Sequence, residues 1–462
     1  MLAPSLCWLL GAVVATVVWL WEPPLPLSVE DWQGAALPQK AVPASARDLV
    51  TELQVFMADK EDLHAPEAWF FGNASAPTVP YAFNEAGWLV RAESLSEVSR
   101  VAFLGGRPLS GRWAQGGRVV VFADVLRGLL RLDPSTGAVD VLASTRCDGV
   151  RLTYPDDLRV LANGDIVFSA ATEHTPFVRR AAGAGGAPGR LVVDQDVPVK
   201  LALLSGGRGS GALLRLPALR DEGGSPRLGA SGLVRYGSCA RLLLPGMRFA
   251  NGIALPPASE DAVEGVPYRR WGSRIAPTRV LVADSLAAAV SSVTVDAEGA
   301  LAESDRRWAA DLPGLPDNVS PGREGTWLVA LPSARTAVIG MLSQSRLLRW
   351  VVSRVPWGLL PKVEPFGALA AVRDDGGVAE VWADPHGKVV RMLTSACWVD
   401  CDAVNASLRP QGAVEQLCTG AAPGDGLAIV GTLKSTGLMV LKMPAAAPER
   451  AAPPLASRSE EL

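Results

Sequence analysis

Three short strings place acidic or amide side chains beside turn-forming residues: Tyr154-Pro-Asp-Asp-Leu158, Arg248-Phe-Ala-Asn-Gly-Ile253 and Leu312-Pro-Gly-Leu-Pro-Asp-Asn-Val319. A fourth, Ala65-Pro-Glu-Ala68, adds Glu67. Carboxylate and amide oxygens are hard ligands, and a set gathered from separate segments suits calcium, at about 2.3–2.6 Å per oxygen. Zinc is disfavoured, because His64, His174 and His386 are the only histidines and lie far apart in the chain. Taken singly, an Asp-Asn or Asn-Gly pair is ordinary turn chemistry. Taken together, and with two prolines stiffening the last string, they need a scaffold that makes distant turns converge.

The chain between these strings supplies one. Short apolar runs recur in pairs: Val119–Asp124 with Gly128–Asp133, Asp165–Ser169 with Gly211–Leu216 across a long insertion, and Val280–Asp284 with Val290–Val295. Thr326–Ala330 follows, then Val378–Trp382 with Val389–Leu393, and Leu427–Gly431 with Gly437–Leu441. Hairpins at spacings of about 40 to 60 residues are what propeller blades with variable loops produce. The expected fold is all-β, a six-bladed β-propeller over residues 47–443. Glu52–Phe56 is the candidate strand that closes the ring, and the pieces Phe177–Ser210, Ala258–Pro277 and Met341–Lys362 read as surface insertions. In a propeller, the turns leading into the innermost strands lie beside the axis, so Glu67, Asp156 or Asp157, Asn251, Asp317 and Asn318 would meet there.

Composition narrows the partners. With 44 basic and 47 acidic side chains the net charge is −3, which offers no field for phosphate backbones, so nucleic-acid binding is not expected. Gly and Pro make up 82 of 462 residues, favouring turns over long helices. No Gly-x-Ser-x-Gly elbow or P-loop string occurs, which removes the usual signals of serine hydrolases and nucleotide hydrolases.

Leu2 to Trp21 carries no charge, and 20 residues at about 1.5 Å each just cross a ~30 Å hydrocarbon core. Residues 1–22 are therefore expected to be a single transmembrane helix acting as a signal-anchor, with a cleaved signal peptide as the alternative. Residues 23–46 read as a proline-rich linker and 444–462 as a disordered tail. The body would stand on the lumenal or extracellular side of the endoplasmic reticulum, another endomembrane, or the plasma membrane. Six cysteines occur, and the cluster Cys397, Cys401, Cys418 is the expected place for a local disulfide. Asn73 and Asn405 head glycan acceptor strings.

The Pro-Gly-Leu-Pro-Asp-Asn string at 313–318 resembles that of the strictosidine synthase-like family, in its membrane-anchored branch. Phe249-Ala-Asn-Gly-Ile253 is similar to a second string of that family, with support from Gly106-Arg-Pro-Leu109, Phe122-Ala-Asp124, Val282-Ala-Asp-Ser285 and Asp384-Pro-His-Gly387. The likeness runs from about Glu52 to Leu441. It implies a six-bladed propeller related to paraoxonases and lactonases, with calcium on the axis held by Glu67, Asn251, Asp317, Asn318 and one of Asp156 and Asp157. Two departures matter. The family has Asn-Asp where this chain has Asp156-Asp157, so Asp156 adds a negative charge at the ion. Arg107-Pro-Leu109 stands where paraoxonases carry a dyad histidine, so the water-activating group must be sought elsewhere, in Asp156, Asp157 or His386. The glutamate that performs the condensation in strictosidine synthase proper has no matched counterpart; Glu415 is the nearest acidic residue. The expectation is a calcium-dependent hydrolase of small esters or lactones, of arylesterase type. The rival is a propeller in which the same calcium is structural and the surface binds a partner.

Overall fold

The computed structural model describes residues 29–443 apart from 34, 72–78, 162, 181–190, 195, 223, 257–276, 297, 324, 356–358, 361–363 and 406–412. The expected anchor, the tail, the Asn73 acceptor and most of the insertion at 258–277 lie outside the described residues. Among the described residues no helix is long and apolar enough to cross a membrane.

Six sheets, each with four antiparallel strands, follow one another along the chain, and Arg47–Asp48 adds a fifth strand, parallel to Trp382–Ala383, to one of them. Blade 1 runs Trp69–Phe71, Pro80–Phe83, Trp88–Ala92, Val98–Phe103, and blade 2 Pro108–Ala114, Val119–Asp124, Gly128–Asp133, Ala138–Ala143. Blade 3 is Pro155–Val160, Ile166–Ala170, Gly211–Leu216, Arg241–Met247, and blade 4 Ala250–Ala254, Thr278–Asp284, Ala289–Val295, Leu301–Ala309. Blade 5 is Val319–Pro321, Thr326–Leu331, Gly367–Arg373, Val378–Asp384. Blade 6 takes Leu393–Asp400, Gly426–Thr432 and Leu438–Met443 from the end of the chain and Leu53–Phe56 from its beginning, with Leu53 opposite Leu441. The first strand of each blade touches the first strand of the next, and that of blade 6 touches that of blade 1, so the circle is closed. The all-β six-bladed propeller is thus the observed fold.

Position in the blade explains the sequence of each strand. Val119-Val-Val-Phe-Ala-Asp124 is buried along its whole length, because neighbouring blades cover both faces. A continuous apolar run results, as in any sheet covered twice. The fourth strand of blade 4, Leu301–Ala309, lies at the rim, with seven of its nine residues exposed and four of them charged. Between blades the packing is aromatic or aliphatic: Phe83 of blade 1 lies 5.6 Å from Phe122 of blade 2, and Val329 of blade 5 packs in one cluster with Leu281 of blade 4.

The expected pairing of Val378–Trp382 with Val389–Leu393 is not observed. Val378–Asp384 pairs instead with Gly367–Arg373, and Leu393 begins the inner strand of blade 6. Gly367-Ala-Leu-Ala-Ala-Val-Arg373 is rich in alanine, a weak strand former that tertiary packing overrides. His386 accordingly follows the outer strand of blade 5 and is exposed. Two of the insertions are structured: Asp196–Ser205 forms α1, Ala337–Gln344 α2 and Arg346–Val352 α3, and residues of all three helices roof the axis. Residues 29–46 lie on the propeller, with Leu37 buried and its amide donating to Ser343 Oγ at 3.0 Å. Disulfides join Cys147 to Cys239 and Cys401 to Cys418. Cys397 is in neither; its thiol donates to the Trp69 carbonyl.

Candidate functional site on the propeller axis

The inner strands deliver the site through irregularities in their pairing. In blade 3 the register slips between Pro155 and Leu158, and in blade 4 between Ala250 and Ile253. A β-bulge re-aims the residues inside it, here Asp156-Asp157 and Asn251-Gly252. Both pairs therefore sit in bulges at the start of strands rather than in the turns before them. Glu67 does lie in the turn before blade 1, and Asp317-Asn318 directly before the inner strand of blade 5.

Close approach makes two glycines necessary. A Cβ on Gly252 would stand 2.2 Å from Asn318 Cα, and one on Gly431 would stand 2.1 Å from the Glu67 carbonyl oxygen. That carbonyl also accepts from Thr394 Oγ1 at 2.8 Å and Ser395 Oγ at 2.7 Å, which ties blade 1 to blade 6. Ala65, Tyr154 and Met392 all have φ between 52° and 59° in the approach to an inner strand. Such a left-handed backbone costs a non-glycine residue about 1–3 kcal/mol, and three of the seven such positions among the described residues lie at these approaches.

Glu67, Asp156 and Asp317 are each buried, and one carboxylate oxygen from each lies within 4.8 Å of the others. Asn251 is buried beside them. Its Nδ2 donates to Ser285 Oγ at 3.3 Å, while its Oδ1 has no hydrogen-bond partner among the described residues. Asn318 donates through Nδ2 to Asp317 Oδ1 at 3.2 Å. Burial, then the charges of Glu67, Asp317 and Asp157, push the Asp156 carboxyl well above its ordinary range, with Arg107 opposing. Burial and Glu67 do the same to Asp317. Three mutually repelling carboxylates and an acceptor without a donor are the chemistry of a cation site, and all four groups offer oxygen.

The other expected residues are elsewhere. Asp157, next in sequence to Asp156, points away from the axis. It is bonded to Arg159 Nη1 at 2.9 and 3.0 Å, lies 3.6 Å from Arg112, and accepts from the Ile253 amide at 2.9 Å. Burial alone would raise its pKa, but Arg159 and Arg112 outweigh it and hold the carboxyl below its usual range. His386 is exposed and does not line the axial cavity, although its neighbour Pro385 does. Glu415 lies in the helix Ala413–Cys418 and does not line it either.

Arg107 is the residue that sequence reasoning read only as a missing histidine. Its guanidinium is buried at the axis, with Nη2 3.6 Å from Glu67 Oε2 and both Nε and Nη2 without hydrogen-bond partners among the described residues. It counts one positive charge against three carboxylates, and a divalent cation would balance the remainder. The string that carries it is held by Asp124, whose Oδ2 accepts from the Arg107 amide at 3.2 Å. Asp284 likewise accepts from the amides of Arg248 and Phe249, so the motif aspartates at 124 and 284 brace the turns rather than bind ligand.

Above the cluster opens a cavity of about 370 Å3. Tyr154, Phe249 and Leu315 form its lower wall, and Leu203 of α1 with Ile339 and Leu342 of α2 form its roof. The site is therefore an apolar chamber with a charged floor.

Fold and floor together define a six-bladed propeller with an axial cluster of buried carboxylate and amide groups. No family model matches the chain. It is homologous to the protein strictosidine synthase-like 13 of Arabidopsis thaliana, at 24% identity over 300 residues, covering 62% of this chain and 58% of that protein. Adipocyte plasma membrane-associated protein of Rattus norvegicus is 22% identical over 299 residues, covering 63% and 64%. The chain thus spans less than two thirds of the length of either relative. Among solved structures, a gluconolactonase of Xanthomonas campestris overlaps 92% of this chain and 99% of its own at 13% identity, with a TM-score of 0.45. A luciferin-regenerating enzyme overlaps 84% and 94% at 10% identity, with a TM-score of 0.43.

Proposed function

We propose that the protein is a membrane-anchored, calcium-dependent hydrolase of small esters or lactones. The observation that carries this reading is the buried triad Glu67, Asp156 and Asp317, with the unpartnered Asn251 Oδ1, at the floor of an apolar chamber. Glu67, Asp156, Asn251, Asp317 and Asn318 would hold the calcium ion, which when bound supplies Lewis-acid polarisation of a substrate carbonyl. The apolar walls would take the acyl or ring part of the substrate and exclude bulk water, strengthening every charge interaction on the floor. Asp156 has the burial and the like-charged neighbours that make a carboxyl a good proton acceptor, and it orients the attacking water; Asp157, committed to two arginines, does not take that part. Leu2–Trp21 would anchor the chain, in keeping with the relatives' plasma membrane-associated name, and the two disulfides fit a lumenal or extracellular body.

Arylester and lactone turnover by the full chain, measured with calcium and with a chelator, tests the reading. Chelation and Asp317→Ala should each cut turnover by about 100-fold or more, the scale lost with one electrostatic contributor. Turnover indifferent to both would overturn the mechanism. Calcium that raises the melting temperature of a protein inert towards a broad substrate panel would support instead a structural ion in a binding module.

A further inference from the structure

The roof of the chamber has an outer face. Val338 and Met341 on α2, Leu347, Trp350 and Val351 on α3, and Leu359 beyond it are all exposed. They are six of the sixteen large hydrophobic residues exposed among the described residues, gathered within 22 positions of the chain. Spacings of three and four residues put them on one stripe of each helix. Of the basic residues between Ala337 and Val363, Arg346 and Arg354 reach the surface, Arg346 within 3.7 Å of the exposed Asp31 carboxylate, while Arg349 is buried. Arg346 is largely exposed, and the Arg354 guanidinium lies 4.7 Å from the Trp350 ring centre. An exposed apolar stripe with arginine side chains beside it suits a lipid interface.

A tether argument points to the same place. The Val29 carbonyl accepts from Arg346 Nε at 3.0 Å, the Glu30 carbonyl accepts from Arg349, and the Glu30 amide donates to the Ser205 carbonyl at the end of α1 at 2.7 Å. The Trp32 ring lies under Arg248 at 3.9 Å. Residues 29–32 are thus strapped to the roof helices. Only seven residues separate Val29 from the end of the uncharged run Leu2–Trp21, and the eight steps this makes reach about 28 Å at most. A membrane that holds the run must lie that close to α3.

We propose that the outer face of α2 and α3 lies on the lipid bilayer that holds Leu2–Trp21, with its apolar stripe in the headgroup boundary. Since Val338 and Val352 also line the chamber, its roof faces the lipid. If the hydrolase reading above holds, the substrate class is an amphiphile, an ester or lactone bearing an acyl chain, taken from the bilayer.

The full chain with Leu347→Cys, in a Cys7→Ser, Cys397→Ser background, is labelled with an environment-sensitive fluorophore and reconstituted into phosphatidylcholine–phosphatidylserine vesicles. Val141→Cys, exposed on the outer strand of blade 2, is the reference. The label at 347 should shift to the blue and be quenched by nitroxide-bearing acyl chains several-fold more than the label at 141. Equal quenching at the two sites overturns the proposal, as does a blue shift without lipid quenching, which would mean contact with a second copy. The double variant Leu347→Glu, Trp350→Glu should leave turnover of a short soluble ester unchanged and lower that of a vesicle-borne long-chain ester by about tenfold. If no ester is turned over by any variant, the hydrolase reading fails while the quenching result still decides the docking.

Discussion

Blade 3 contributes to two buried acidic regions that treat charge in opposite ways. Around Asp165, Arg215 Nε donates at 2.7 Å, Arg220 Nη2 at 3.1 Å, the Ala218 amide at 2.8 Å and Asn163 Nδ2 at 3.0 Å. That carboxylate is satisfied by the protein alone. On the axis, three carboxylates face one guanidinium that stops 3.6 Å short of Glu67. The first region is a joint, linking the hairpin to its neighbour through Arg215, which also donates to the Gly299 carbonyl of blade 4 at 2.8 Å. The second gathers like charges on the axis, the feature from which the calcium proposal is argued. The contrast between a carboxylate saturated by donors and three carboxylates gathered on one spot is what the proposed cation site rests on.

The contrast can be broken most forcefully by deleting one carboxylate from each region. Asp165→Leu strands Arg215 and should destabilise the fold by about 3–5 kcal/mol, the usual cost of leaving one member of a buried pair. Asp317→Asn removes repulsion, so in the presence of chelator it should unfold at equal or higher denaturant than the wild type, and calcium should then stabilise it much less. Equilibrium denaturation with and without calcium reads both; destabilisation of the two variants alike would erase the distinction.

A smaller effect separates the adjacent residues Asp156 and Asp157. The folded pKa of Asp156 is raised, so its contribution is fully present below the ordinary carboxylate pKa of about 4 and is lost as pH rises through the folded value. Asp157 has a lowered folded pKa, so its contribution is present above about pH 4 and is lost as pH falls through that value. Metal-free melting curves should show Asp156→Asn flattening the loss of stability on the alkaline side, and Asp157→Asn flattening it on the acid side. Identical profiles for the two variants would contradict the opposite environments.

The finest adjustment is Arg107→Met. It takes the axial set from three carboxylates and one cation to three carboxylates alone, so affinity for calcium, followed by titration calorimetry or by terbium luminescence, should rise by about tenfold. A fall in affinity would show that Arg107 acts by positioning Glu67 rather than by its charge.

Much of this arrangement was legible in the residues. The hairpin of blade 2, the pairing of Ile166–Ala170 with Gly211–Leu216 across 40 intervening residues, and the closing strand could be read because buried central strands leave continuous apolar runs. The third strand of blade 5 escaped notice because alanine carries little strand signal. At the site, Glu67, Asp156, Asn251 and Asp317 come together as the turn strings required, but Asp157 does not, since neighbours on a strand face opposite sides and the bulge settles which one turns inward. Arg107 was hidden for another reason: a residue type compared with an expected histidine registers as a loss, and only its place beside Glu67 shows what it brings. The helices α2 and α3 were legible as an insertion, yet their position over the chamber depends on contacts with residues 29–37 that no local pattern encodes.

The closure of blade 6 sets a schedule for biosynthesis. Leu53 cannot meet Leu441 until 388 more residues have been made, which at about 5–20 residues per second takes roughly 20–80 seconds. Throughout that interval Leu53–Phe56 is a strand edge with no partner, the kind of surface that pairs with other chains. Shielding that first strand until the last one emerges is therefore part of what folding of this chain has to achieve.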